Sequence, residues 1–110
     1  MLPTNWKRLS LQTVLQTLIG VRSDGGANVY FQPPASVEMN YPAIVYSRDK
    51  IENTFADNQV YKQKRRYSII VIDPNPDSTI AEKVSKLPTV IYDRGYQVDN
   101  LNHDAFKLYY

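Results

Sequence analysis

"AIVYSRDKIENTFADNQVYKQKRRYSIIVID", residues 43–73, decides the fold. Its first part, from Ala43, reads as a strand of about ten residues rich in β-branched and aromatic side chains. "ADNQ" (residues 56–59) can turn, and a second strand runs from about Val60 to Asp73. The two pair as a long antiparallel hairpin with two zones. Near the turn, charged and amide side chains dominate both faces. Towards Ile44, Val45, Ile69, Ile70, Val71 and Ile72 both faces are apolar. The expectation is a hairpin with a buried base and a solvated outer end.

That outer end carries Lys62, Lys64, Arg65 and Arg66. Alternation places Lys62, Lys64 and Arg66 on one face and Arg65 on the other, a stripe of about 13 Å at roughly 3.3 Å per residue. Such a stripe can line a passage for a polyanion without reading sequence. Stacking aromatics would mark a single-strand site, but Tyr61 and Tyr67 only flank the cluster. The competing reading pairs Lys62 and Arg66 across the hairpin with Asp49, Glu52 or Asp57, a solvated and aggregation-resistant strand.

Downstream, "DPNPDS" (residues 73–78) closes the strand, because proline cannot continue a ladder. Asp77, Ser78 or Thr79 can cap a helix there, and Thr79 with Glu82 has capping-box spacing. Ile80, Val84 and Leu87 form its apolar stripe, with Pro88 expected to end it near the third turn. "TVIYDRGYQV" (89–98) and "HDAFKLYY" (103–110) read as two final strands joined by "DNLN" (99–102). Strict alternation puts Val90, Tyr92, Tyr96 and Val98 on one side of the first, and Phe106, Leu108 and Tyr110 on one side of the second.

Upstream, Leu11, Val14, Leu15, Leu18 and Ile19 recur at helical spacing, and Gly20 stands where a C-terminal cap falls. Thr4 or Ser10 can start that helix, and an early start adds Trp6 and Leu9 to the stripe. "RSDGGANVYFQPPAS" (22–36) reads as a loop, a candidate flexible arm, with at most a short strand at residues 29–31. Helix, short strand, long hairpin, helix, hairpin is an α+β order. It implies a single domain over residues 1–110: a mostly antiparallel sheet with the N-terminal helix and a second short helix on one face.

The chain has 110 residues, enough for one core, and 43% hydrophobic residues, ordinary for a globular fold. Net charge is +2, from 13 basic and 11 acidic side chains. That balance speaks against a dedicated nucleic-acid binder acting through its overall field. Cysteine is absent, which excludes disulfides and thiolate metal sites. No apolar run reaches the roughly 18 residues of a membrane span, and the N-terminal segment reads as part of the mature fold. Nine tyrosines suit either strand surfaces or protein interfaces.

Catalytic patterns are lacking. His103 is the single histidine, so paired imidazole ligands and HExxH sites are impossible. A hydrolytic arrangement would need His103, an acid such as Asp104 and an activated serine, and no serine lies in a nucleophile-elbow pattern. Asp73 and Asp77 flank "PNP" like an oxygen-rich cation loop, but turn and capping duty explains them more simply. Glycine-rich phosphate loops are absent. Catalytic, metal and cofactor sites are therefore not expected.

Residues 41–110 resemble the tail terminator, tail completion or head–tail joining proteins of long-tailed bacteriophages. The resemblance is carried by "YPAIVYSRD" (41–49), "IDPNPDS" (72–78), "LP" (87–88) and "DNLNHDAFKLYY" (99–110). It implies a structural virion protein without catalysis or cofactor, assembled in the bacterial cytoplasm. Such proteins form a homo-oligomeric ring, commonly a hexamer, on the head-proximal end of the tail tube. The implied partners are the tail tube protein, the head connector or stopper, and double-stranded DNA passing through the lumen without sequence-specific binding. Ring copy number would multiply the modest basic patch of Lys62, Lys64, Arg65 and Arg66, which the resemblance implies as a lumen lining or an inter-subunit contact. Two other readings stay open: a head-side connector or adaptor of the same joint, and a small nucleic-acid-binding module using the basic strand.

Overall fold

Two Asp–Asn dipeptides organise the sheet. Asp57 and Asn58, and again Asp99 and Asn100, all take positive φ, between 51° and 63°. Two successive left-handed residues make the tight turn whose twist matches a hairpin, and Asp and Asn tolerate that conformation better than most residues. The computed structural model describes residues 6–20 and 26–110, the side chains of Trp6, Val60, Tyr61 and Lys62 excepted.

The first turn joins β2 (Ala43–Ala56) to β3 (Gln59–Asp73), and the second joins β4 (Val90–Val98) to β5 (Leu101–Tyr109). With β1 (Val29–Phe31) they form one five-stranded sheet in the order β1-β2-β3-β5-β4. Three of its pairings are antiparallel, and β1 runs parallel to β2. The fold is α+β, as the element order implies. β2 is longer than expected, 14 residues rather than about ten, because charge does not interrupt a strand whose two faces are both solvated. The second turn is two residues long rather than the four of "DNLN", which brings Leu101 and Asn102 into β5.

Register divides the sheet into two faces. Ile44, Tyr46, Tyr67, Ile69, Val71, Phe106 and Leu108 lie on one and are all buried. Helix α1 (Trp6–Ile19) packs there through Leu11 and Leu15, both fully buried, with Leu18 and Ile19 at the margin. Its Gly20 has φ 87° and its N–H bonds the Gln16 carbonyl, the left-handed end read from the sequence. Ser10 is inside the helix and caps nothing. Thr4 lies outside the described residues. Leu9 faces solvent.

Helix α2 (Thr79–Val84) packs Ile80 and Val84 into the same core, with Leu87 against it. Ser78 is the cap: its Oγ accepts the Ala81 N–H at 3.2 Å. The helix stops at Val84, short of the expected third turn. Ser85 Oγ donates to the Glu82 carbonyl, and Leu87 N–H bonds the Val84 carbonyl, so a tight turn leads into Pro88. Asp73 and Asn75 accept N–H bonds from Asn75 and Asp77, so "DPNPD" is a pair of side-chain-closed turns.

One sequence expectation fails in β4. A register shift between Tyr92 and Arg94 inserts an extra residue. Val90 and Tyr92 pair with Leu108 and Phe106 on the core side, whereas Tyr96 and Val98 pair with His103 and Leu101 on the other. The bulge reverses the alternation. Gly95 accommodates it: a Cβ there would stand 2.5 Å from Tyr92 Oη, which reaches across to Asp104 at 3.1 Å. On β5 the alternation holds, and Tyr110 Oη meets Ser10 Oγ on α1 at 2.5 Å.

Candidate functional site

β5 ends where Tyr109 pairs with Arg66 and Tyr110 N–H reaches the Arg65 carbonyl. Residues 59–64 of β3 continue with only β2 beside them. They form a two-stranded arm about 20 Å long at roughly 3.3 Å per residue. The radius of gyration, 15.3 Å, exceeds the roughly 13 Å of a compact domain of this length. The longest dimension is 51 Å against 30 and 28 Å for the others.

The basic cluster divides along this arm. Arg66 sits at its root and is paired: its Nε lies 2.5 Å from Asp49 Oδ2, while Lys107 Nζ lies 3.4 Å from Oδ1 of the same carboxylate. A second register shift, between Arg48 and Lys50, brings Asp49 into position. Burial would raise the Asp49 carboxyl, but the hydrogen bond from Arg66 and the charges of Lys107 and Arg66 outweigh it and hold it below the usual range. Lys64 is exposed and pairs in register with Glu52, which bonds Lys50 at 2.6 Å. That bond leads the causes that lower the Glu52 carboxyl. Arg65 is half-buried and donates from Nε to Gln63 Oε1 at 2.9 Å, a neutral partner. The Lys62 side chain lies outside the described residues. Cross-hairpin pairing with Asp49 therefore holds for Arg66.

A cleft opens at the root of the arm. One hollow of about 370 Å³ is lined by Lys7 of α1, by Gln63, Lys64 and Arg65, and by Thr89, Tyr109 and Tyr110. A second of about 300 Å³ shares Thr89, Tyr109 and Tyr110 and is otherwise apolar. Among the described residues no Asp or Glu side chain lines either hollow. Sequence reading found Lys64 and Arg65 but not Lys7 or the tyrosine pair, because the cleft joins residues more than 100 positions apart.

The arm also exposes apolar surface. Phe55 is 65% exposed and Ile51 45%. At the opposite edge of the sheet, β4 shows Ile91, Tyr92, Tyr96 and Val98 to solvent along a strand with no outer neighbour among the described residues. His103 and Asp104 leave opposite faces of β5. His103 stacks on Tyr96, ring centroids 4.8 Å apart, with Nδ1 3.0 Å from the Leu101 carbonyl oxygen. Asp104 accepts from Tyr92. Burial, then the Asp104 hydrogen bond and charge, push the Tyr92 hydroxyl up. A histidine–acid pair at these positions is thus not assembled. Among the described residues no three His, Cys, Asp or Glu side chains gather as metal ligands, and no helix is long and apolar enough to cross a membrane.

Comparison with protein-family models, with curated proteins and with solved structures finds no match to this chain.

Proposed function

We propose that this protein is a structural subunit that assembles into a ring and acts as a bacteriophage tail terminator, joining the tail tube to the head connector. The observation that carries this reading is the arm. It extends about 20 Å beyond the last three-stranded part of the sheet, and it presents Phe55 to solvent, with Ile51 exposed at its root. Large apolar side chains on a projecting ribbon do nothing for the core of their own chain, whereas they suit a protein partner. The sequence resemblance over residues 41–110 supplies the class of assembly. The exposed β4 edge adds a second surface on which neighbouring subunits, or the tail tube, can pair.

A nucleic-acid module is the weaker reading, since Asp49 pairs with Arg66 and the net charge of the chain is only +2. A lumen that lets DNA pass needs only a weak, non-specific field. Light scattering on the purified protein, alone and with tail tubes, tests the proposal. A ring-sized species, or one that forms on tubes and stops their growth, is expected. A monomer of 12.7 kDa that ignores tubes and binds DNA with steep salt dependence would overturn it. A ring that binds connectors but not tubes would assign the head-side adaptor role instead.

A further inference from the structure

The arm and the cleft at its root are complementary, yet they cannot meet within one chain. The two hollows share Thr89, Tyr109 and Tyr110 as walls and so lie side by side, two halves of one groove region. One half is apolar, built by Leu11, Val14, Leu87, Pro88 and Leu108. The other half presents Lys7, Lys64 and Arg65. At about 300 Å³ the apolar half is at the small end of ligand pockets and has room for one large side chain.

The arm's tip has the matching features. Phe55 is the most exposed of the large hydrophobic side chains among the described residues. Across residues 53–60 Asp57 is the only charged side chain, and it stands at the turn, two residues beyond Phe55. An aromatic anchor beside a carboxylate fits an apolar slot that continues into a basic mouth. The tip cannot enter its own groove. Residues 63–65 line that groove, and the same extended strand carries the chain some 13 Å away before it turns. Paired strands do not fold back through so short a length.

We propose that the tip of one copy docks into the groove of the next, with Phe55 in the apolar half and Asp57 beside Lys64 and Arg65. The inference rests on the ring reading and names its contact. Because tip and groove are different patches of one chain, the interface is heterologous: each copy gives one and receives one. Such a contact propagates until the rotation per step closes a ring. The root of the arm, fixed by Asp49 between Arg66 and Lys107, would set that rotation.

Three proteins test it by sedimentation velocity: wild type, a tip variant Phe55→Asp, and a groove variant Lys64→Glu with Arg65→Glu. Circular dichroism checks that each is folded, and all three changed side chains lie outside the core. Self-association should weaken about 30-fold or more in each variant, the loss expected of an interface anchor. Mixed together, the two variants should form a one-to-one complex, since one keeps a groove and the other a tip. Asp57→Lys combined with Arg65→Glu should recover part of the assembly that either change alone removes. If wild type forms rings and Phe55→Asp does so equally well, or if the mixed variants stay apart, this contact is wrong and the ring reading survives. If wild type stays monomeric alone and on tail tubes, both fall together.

Discussion

Tyr67 places its hydroxyl in the core with no hydrogen-bond partner among the described residues, and the side chain is fully buried. Its ring earns its place against Tyr46, centroids 6.2 Å apart, but its oxygen lost water and gained nothing. An unsatisfied buried hydroxyl costs about 1–3 kcal/mol. Tyr67→Phe should therefore stabilise the fold by about 1 kcal/mol in urea denaturation, with the slope unchanged. Tyr46, which donates to Gln12 Oε1, should instead lose stability on the same change. Asp49 gives a pH signature. Its carboxyl ionises more readily folded than unfolded, so its contribution is complete above the ordinary aspartate range near pH 4 and fades as pH falls through the lower folded value. Asp49→Asn should cost up to about 1 kcal/mol at neutral pH and flatten the acid limb of the stability profile. An unaltered acid limb would show that the pair with Arg66 is not formed in solution.

At the scale of elements, the two hairpins use the same turn for different ends. The turn at Asp99 and Asn100 closes strands that reach the core through Phe106 and Leu108. The turn at Asp57 and Asn58 closes the arm, whose described residues from 52 to 64 bury nothing in the core. A β-branched residue in the left-handed conformation costs about 1–2 kcal/mol. Asn100→Val should lower global stability by that amount. Asn58→Val should leave it nearly unchanged and instead speed amide exchange in the arm, because that segment opens on its own. Equal global losses would mean that the arm folds as one unit with the sheet. The hairpins themselves were legible, since β-branched runs bracket polar turns. The β4 bulge was not: nothing local in "YDRGYQ" fixes where one strand gains a residue on its partner, and only the fit of Tyr92 over Gly95 to Asp104 does so.

For the whole molecule, the body holds the core and the arm lies outside it. Replacing residues 52–64 with Asn-Gly joins Ile51 to Arg65, which already pair, through a two-residue turn. The shortened protein should keep its melting temperature within a few degrees, as the core loses no member. It should nevertheless remain a monomer and fail to cap tail tubes in light scattering. Retained assembly would move the subunit contact to the β4 edge.

The alternation of Ile44 to Tyr46 and of Ile69 to Val71, the helical spacing of Leu11 and Leu15, and the glycine after Ile19 determined the elements, their order and the face that each buries, since these depend on neighbours within a turn or two along the chain. The length of α2 was not among them, because Ser85 and Leu87 close a tight turn three residues before Pro88 could act. The fate of the basic cluster was decided only in three dimensions. Lys62, Lys64, Arg65 and Arg66 look alike in sequence, but the bulge at Asp49 brings a carboxylate against one, Arg66, and the approach of Lys7, Tyr109 and Tyr110 builds a groove beside two others. Charge compensation and concavity depend on contacts between residues far apart in the chain, and those exist only once the sheet has closed around its core.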